Sequence, residues 1–415
     1  MAIENGNRLD ALLAARRATE ALCAPLRTED HVVQPREAVS PPKWHLAHTT
    51  WFFETFLLGR YQPGYHPAAA EYAFLFNSYY ESVGSRAEKG ERGSYSRPTV
   101  REVLAYRRRV DESLGDLLAS PLARNPDVEG LVELGIHHEQ QHQELLVTDI
   151  KAILHFNPSR PAYLEGSTEF HPRPAKPESN PASAIGLSSP PAPKPRWIAF
   201  PSGLREIGWH GGGFSFDNER PRHPVFVAGF RLEDRLVTNA GYLEFIRAEG
   251  YSRPEFWLSE GWRLARQEGW KAPLYWEEID GRWSEYTLGG TRPLDPDSPV
   301  CHVSHFEADA FARWRRARLP TEAEWETACI AGDAGLLQMT GELWQWTASA
   351  YLPYPGFRPF PGAVGEYNGK FMMDQMVLRG GSCATPAGHL RPTYRNFFPA
   401  ATRWQFSGIR LAEDG

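Results

Sequence analysis

Eight prolines fall between Pro172 and Pro195, mixed with Ser, Ala and Lys, and they constrain this chain more than any other feature. Proline fixes φ and withholds a backbone donor, so the stretch suits neither a helix interior nor a central strand. It reads as a semi-rigid, extended spacer. At 415 residues the chain exceeds one typical core. The expected division is a helical domain over 1–170, a spacer over 171–196 and a second domain over 197–415.

The two sides differ in texture. Before the spacer, apolar periodicity predicts four long helices, at about 7–25, 41–58, 98–119 and 126–155. Four helices of these lengths suit an antiparallel bundle. The long connection over about 60–97 is a candidate functional loop. After the spacer lie twelve of the fourteen tryptophans, frequent glycines and short broken strands. Helices are expected only at about 238–248, at 304–316 and from the capping box Thr321-Glu322-Ala323-Glu324. This side reads as an irregular α+β domain held by buried aromatics.

The helix from Asn125, a natural N-cap followed by Pro126, carries His137-His138-Glu139-Gln140-Gln141-His142. His138 and His142 are four apart and share one face, a geometry that grips a divalent metal. A second histidine pair stands at His45 and His48, in Ser40-Pro41-Pro42-Lys43-Trp44-His45-Leu46-Ala47-His48. Spacing alone leaves open which of the two faces inward. The alternative is ordinary core or surface histidine. The string His138 to His142 also fits the zinc-protease pattern, with Glu139 as general base and Glu165 or Glu169 as third ligand. That reading leaves the upstream histidines and the second half unexplained.

A formal charge of −6 gives no basic footprint for nucleic acid. No apolar run approaches a membrane span, and the first residues lack the pattern of a signal peptide. Four cysteines without paired spacing suit a reducing compartment, so a cytoplasmic location is expected. Oligomeric state is not legible from these features.

Arg318-Leu319-Pro320-Thr321-Glu322-Ala323-Glu324-Trp325-Glu326, Gly341-Glu342-Leu343-Trp344-Gln345-Trp346, Leu378-Arg379-Gly380-Gly381-Ser382 and Ser407-Gly408-Ile409-Arg410-Leu411 resemble the formylglycine-generating-enzyme (sulfatase-modifying factor) domain, a C-type-lectin-like fold. Leu46-Ala47-His48 and His138-Glu139-Gln140-Gln141-His142 resemble a DinB-like metal-binding four-helix bundle. Joined in this order, the halves resemble the iron(II)-dependent sulfoxide synthases of ergothioneine and ovothiol biosynthesis. The resemblance implies a non-haem iron oxidoreductase that uses O2 to join a thiol to the imidazole of Nα-trimethylhistidine (hercynine) and oxidise the sulfur. It implies His48, His138 and His142 as iron(II) ligands and favours His48 over His45. Tyr79 and Tyr80 match a tyrosine pair in one branch of the family, placed to pass a proton or electron. Gln141 is expected to hydrogen-bond a ligand imidazole. Asn396, Phe397 and Phe398 match the segment that holds trimethylhistidine, whose quaternary ammonium suits aromatic faces.

Relatives carry two arginines three apart where this chain has Lys89 and Arg92. Lysine does not replace an arginine fork, which tilts the expected thiol toward cysteine and away from γ-glutamylcysteine. Formylglycine-generating enzymes carry a copper-binding cysteine pair, whereas here Cys383 has no cysteine after it. Formylglycine formation is therefore not expected. Beside the synthase stand two alternatives: the zinc protease, and a metal-free lectin-like binding module.

Overall fold

The structure is a computed structural model that describes residues 5–166, 170–173, 194–333 and 335–415. Most of the expected spacer, 174–193, lies outside the described residues, as does Glu169.

Four long helices build the first half: α1 (Asn5–Cys23), α2 (Pro42–Phe53), α3 (Val100–Ala119) and α4 (Pro126–Phe156). Helix α1 packs on α4, and α2 packs on both α3 and α4. The starts of α3 and α4 follow from local chemistry. Thr99 and Glu102 form a reciprocal capping box at α3. The Asn125 side chain accepts from the Asp127 amide at α4, and Pro126 takes the first helical position.

Helix α2 starts close to where its sequence predicts, with Pro41 as cap residue and no side-chain cap. Ser40 donates its amide to Asp149 at 2.9 Å. Past Phe53 the helix widens into a π turn over Glu54–Leu58 before one last turn, Gly59–Tyr61. Every residue of α2 is buried, which makes it the central helix of the bundle. Its polar side chains must then find partners inside. Lys43 donates to the Tyr95 carbonyl at 2.7 Å, and Thr50 donates to the Leu46 carbonyl at 2.7 Å.

Gly135 lets α2 and α4 approach closely. A Cβ there would lie 2.3 Å from the Phe53 ring. The contact sits one turn before His138, so it sets the two histidine-bearing helices face to face.

The second half contains four small sheets. Strands β1 (Trp197–Phe200), β4 (Phe230–Glu233) and β12 (Ala412–Asp414) form one antiparallel sheet that brings the chain's last strand beside its early ones. Strands β2 (Gly203–Ile207) and β3 (His223–Val227) form a ribbon. Helices α5 (Asn239–Arg247) and α6 (Ser259–Gln267) follow. Strands β5 (Trp276–Ile279), β6 (Arg282–Thr287) and β7 (Gly290–Pro293) form a meander. Helices α7 (His305–Trp314) and α8 (Glu322–Ala331) precede the sheet β10 (Asn396–Phe398), β9 (Met376–Arg379), β8 (Trp344–Ala350) and β11 (Ser407–Gly408). Thr238, Ser304 and Thr321 cap α5, α7 and α8 as their sequences predict. Helix α6 was not expected: Leu258 sits at its cap and offers no side-chain hydrogen bond.

The buried tryptophans serve as core and as fasteners. Trp325, Trp344 and Trp346 are fully buried, and each indole N–H has an acceptor: Gln345 Oε1, Glu144 and the Val303 carbonyl. Glu144 belongs to α4. It also accepts from the Ser382 and Thr385 hydroxyls at 2.8 Å, so the Gly380-Gly381-Ser382 turn is tied directly to the histidine helix.

Candidate metal centre

His48 from α2 and His138 and His142 from α4 each present one ring nitrogen to a common point, and the three atoms lie within 4.8 Å of one another. His48 Nδ1 donates to the Phe76 carbonyl at 2.6 Å, which leaves its lone pair on Nε2. That Nε2 faces His138 Nε2 at 3.3 Å. Trp44 stacks on His48 with centroids 4.5 Å apart, and Phe52 stacks on His138 at 4.4 Å. Burial disfavours the charged rings. It holds His138 down to about 4 and keeps His48 and His142 well below the usual histidine range. Unprotonated imidazoles with converging lone pairs are the donor set that a divalent transition metal relieves, so the residues fit an iron(II) ion.

His45 stands outside this group. Its Nδ1 lies 3.0 Å from His142 Nδ1, and its Nε2 lies 2.8 Å from Asp149. Asp149 was not singled out in the sequence. It follows His142 by seven residues, two turns along the same face, and that spacing is the signal that finds it.

Glu139 points away from the cluster. It is 0% exposed, accepts from Thr19 at 2.7 Å and pairs with Arg107 and with Arg16 at 3.2 Å. Burial alone would raise its carboxyl, but Arg107 and Arg16 outweigh that and hold it at about 2. A carboxylate locked between two guanidiniums is not free to act as a general base. Glu165 does not join the histidine group.

A cavity of about 310 Å³ opens onto the three histidines. Its lining includes Tyr79, Tyr80, Lys89 and Arg92 from the long loop, and Phe397 and Phe398 from β10. Tyr80 is buried beside Trp51 and Phe56, and burial raises its hydroxyl well above the usual range. Tyr79 packs on Phe371 and Tyr367. Arg92 is buried, lies 3.5 Å over the Trp44 ring and donates to Ser40 and Ser78 hydroxyls at 2.9 and 3.3 Å. Burial lowers it to about 10, and its Nε has no hydrogen-bond partner among the described residues.

A smaller cavity of about 50 Å³ adjoins the first, with Leu145, Tyr367, Phe397 and Phe398 lining both. Asn396 and Gln141 line the smaller one. The Gln141 amide donates to the Tyr394 hydroxyl at 3.1 Å. The Phe397 ring stacks on Tyr351 at 4.0 Å, and Phe398 meets Trp404 edge-on at 5.0 Å.

All four cysteines are free. Burial pushes the Cys383 thiol well above its usual range. No helix among the described residues is long and apolar enough to cross a membrane.

Comparisons with known proteins divide the chain in the same way. The sulfatase-modifying factor enzyme 1-like domain matches residues 187–335 and 331–415, and the DinB superfamily matches residues 11–146. The hercynine oxygenase of Mycolicibacterium smegmatis is 37% identical over 244 residues, covering 48% of this chain and 56% of that protein. The ergothioneine biosynthesis protein 1 of Schizosaccharomyces pombe is 25% identical, covering 48% and 28% respectively. The formylglycine-generating enzyme of Bos taurus is 30% identical, covering 42% and 50%. The chain spans about half the length of the hercynine oxygenases it matches. With more than half its residues matched, the chain belongs to the sulfatase-modifying factor enzyme 1-like family, in the form that carries a DinB-type helical half and resembles the hercynine oxygenases.

Proposed function

We propose that this chain is a non-haem iron oxidoreductase that joins a thiol to the imidazole of trimethylhistidine and oxidises the sulfur to a sulfoxide, as in ergothioneine biosynthesis. One observation carries the reading: three buried imidazoles converge on a cavity whose far wall is aromatic. Relatives named hercynine oxygenase support it. The balance is simple. The thiol and one ring carbon each give up a hydrogen, one oxygen atom of O2 goes to sulfur, and the other leaves as water.

His48, His138 and His142 would hold iron(II), which would supply the one-electron chemistry by which O2 reacts. The remaining tasks belong to side chains. Phe397 and Phe398 offer ring faces to the quaternary ammonium. The Asn396 Oδ1 is taken by the Phe397 amide at 2.9 Å, so its Nδ2 is the donor for the substrate carboxylate. Arg92, braced by Ser40, Ser78 and Trp44, offers its charge to the thiol's carboxylate at the cavity wall, and Lys89 adds a mobile positive charge. One fixed guanidinium matches one carboxylate, which favours cysteine over γ-glutamylcysteine. Tyr79 and Tyr80 border the same cavity, and the buried Tyr80 keeps its proton to give at Oη.

The test is anaerobic incubation with iron(II), trimethylhistidine and equal amounts of the two thiols, followed by O2 and product mass. A sulfoxide carrying cysteine is expected. Absence of any carbon–sulfur product with either thiol overturns the function. A dominant γ-glutamyl product overturns only the choice of thiol.

A further inference from the structure

The three candidate ligands are held in different ways. His48 ends on a backbone carbonyl. His138 Nδ1 is buried with no partner among the described residues. His142 ends on another imidazole: its Nδ1 lies 3.0 Å from His45 Nδ1. His45 Nε2 lies 2.8 Å from Asp149 Oδ2, and that oxygen also accepts the Ser40 amide at 2.9 Å. His45, His142 and Asp149 are all buried at the wall of the cavity.

With Asp149 ionised and both rings neutral, the row has one proton arrangement. A carboxylate only accepts, so His45 must donate to Asp149 from Nε2. Its Nδ1 is then an acceptor and takes the proton of His142 Nδ1. His142 is left with its lone pair on Nε2, the nitrogen available to a metal. The reverse tautomer of His45 would set a lone pair against the Asp149 carboxylate. It would also drive the His142 proton onto Nε2 and block coordination.

We infer that Asp149 and His45 form a positioning relay that fixes the tautomer and ring orientation of His142 for metal binding; the inference rests on the metal reading above. Neither residue touches the metal. The covalent frame supports it: Asp149 follows His142 by two turns of α4, and His45 precedes His48 by one turn of α2. Ligand and support are therefore carried on the same two helices. A hydrogen bond at the far nitrogen also raises the donor strength of a ligating imidazole, and loss of such a partner typically costs about tenfold to a hundredfold in metal affinity.

The test titrates the anaerobic protein with cobalt(II), read by its visible absorption, beside thermal unfolding of the metal-free protein. His45→Phe keeps the ring and removes both nitrogens. It should weaken cobalt(II) binding by about tenfold to a hundredfold and alter the absorption bands of the loaded protein. Asp149→Asn keeps the shape, needs no change in packing, and should weaken binding less. The double variant should bind about as weakly as His45→Phe alone, because both act through one row. A merely structural role would lower the melting temperature without changing the bands or giving this non-additivity. If His45→Phe does not fold, Asp149→Asn with unchanged affinity and bands overturns the relay. If both variants bind like the parent while His138→Ala does not, the relay fails and the metal reading stands. A parent that binds cobalt(II) no better than His138→Ala overturns both.

Discussion

The cavity has two walls of different construction. The wall from α2 and α4 is made of side chains three, four and seven residues apart on regular helices, with the His48 and His142 rings held at their far nitrogens. The wall from the second half is made of Phe397 and Phe398 on a short strand, Trp404 on a loop and Tyr367 on a single helical turn. The first suits a small ion that tolerates little displacement. The second suits an organic substrate that needs area and an aromatic face. The contrast teaches that position is fixed by helix periodicity here, while selectivity is assembled from chain segments remote in sequence.

The largest effect should come from the first wall. Replacing His48, His138 or His142 by alanine should reduce iron from about one per chain to near zero in protein purified without O2, since two imidazoles do not hold the ion firmly. Circular dichroism should show the helices intact. Full iron occupancy after His48→Ala would break the assignment and promote His45.

Two buried carboxylates on α4 sharpen the contrast next. Glu139 lies inside the bundle between two arginines, whereas Glu144 reaches across to neutral donors of the second half. Glu139→Ala removes the fully buried carboxylate that Arg16 and Arg107 share, leaving each with one less buried carboxylate, Asp111 and Glu20, and should cost about 3–5 kcal/mol. Glu144→Ala removes a charged acceptor but leaves only neutral groups unpaired, and should cost about 1.5–3 kcal/mol. Urea unfolding of the metal-free variants measures both. Equal costs would mean that the two halves are held as tightly to each other as the bundle is to itself.

The pattern of legibility follows the same division. The four bundle helices and the histidine group follow from spacing along one or two segments, so the sequence exposes them. His45 and Asp149 were within reach by the same rule. Helix α6 was not, because its start carries no capping side chain. The Gln141 contact with Tyr394 and the grip of Glu144 on Ser382 link positions more than two hundred residues apart. No local periodicity encodes such pairs. The sheet order, with β12 beside β4, is of the same kind. Glu139 misleads for a related reason: its motif is local, but Arg16 and Arg107 come from other helices.

Acid should act first on the histidine wall. Burial lowers His138 to about 4 and His137 to about 3, and depresses His48, His142, His302 and His389 as well. The unfolded chain binds these protons near pH 6.5 and the fold does not. Stability is therefore highest above that pH and falls as pH drops toward the folded values. Each ring contributes up to about 1.4 kcal/mol per pH unit in that window. Burial lowers His155, His171 and His305 too, and these nine imidazoles outnumber the six carboxyls that burial raises and that oppose the trend: Glu233, to about 7, with Glu144, Glu285, Asp111, Asp217 and Asp309. The urea midpoint of metal-free protein should fall steadily from pH 6.5 to 5. A flat profile would mean that the rings are charged in the fold.

The smallest predicted effect probes the second wall. Asn396→Ala removes one donor from the smaller cavity and leaves the histidines untouched. Loss of a hydrogen bond to a charged group is worth about 1.5–3 kcal/mol, roughly tenfold to a hundredfold in affinity. The loss should fall on the KM for trimethylhistidine and spare the KM for the thiol, because Arg92 lies in the larger cavity and Asn396 in the smaller. Iron content should not change. Steady-state kinetics with each substrate varied in turn decides the matter. Equal rises in both KM values would show that the walls do not divide the substrates as their construction suggests. A fall in iron content would show that the aromatic wall also supports the ligands.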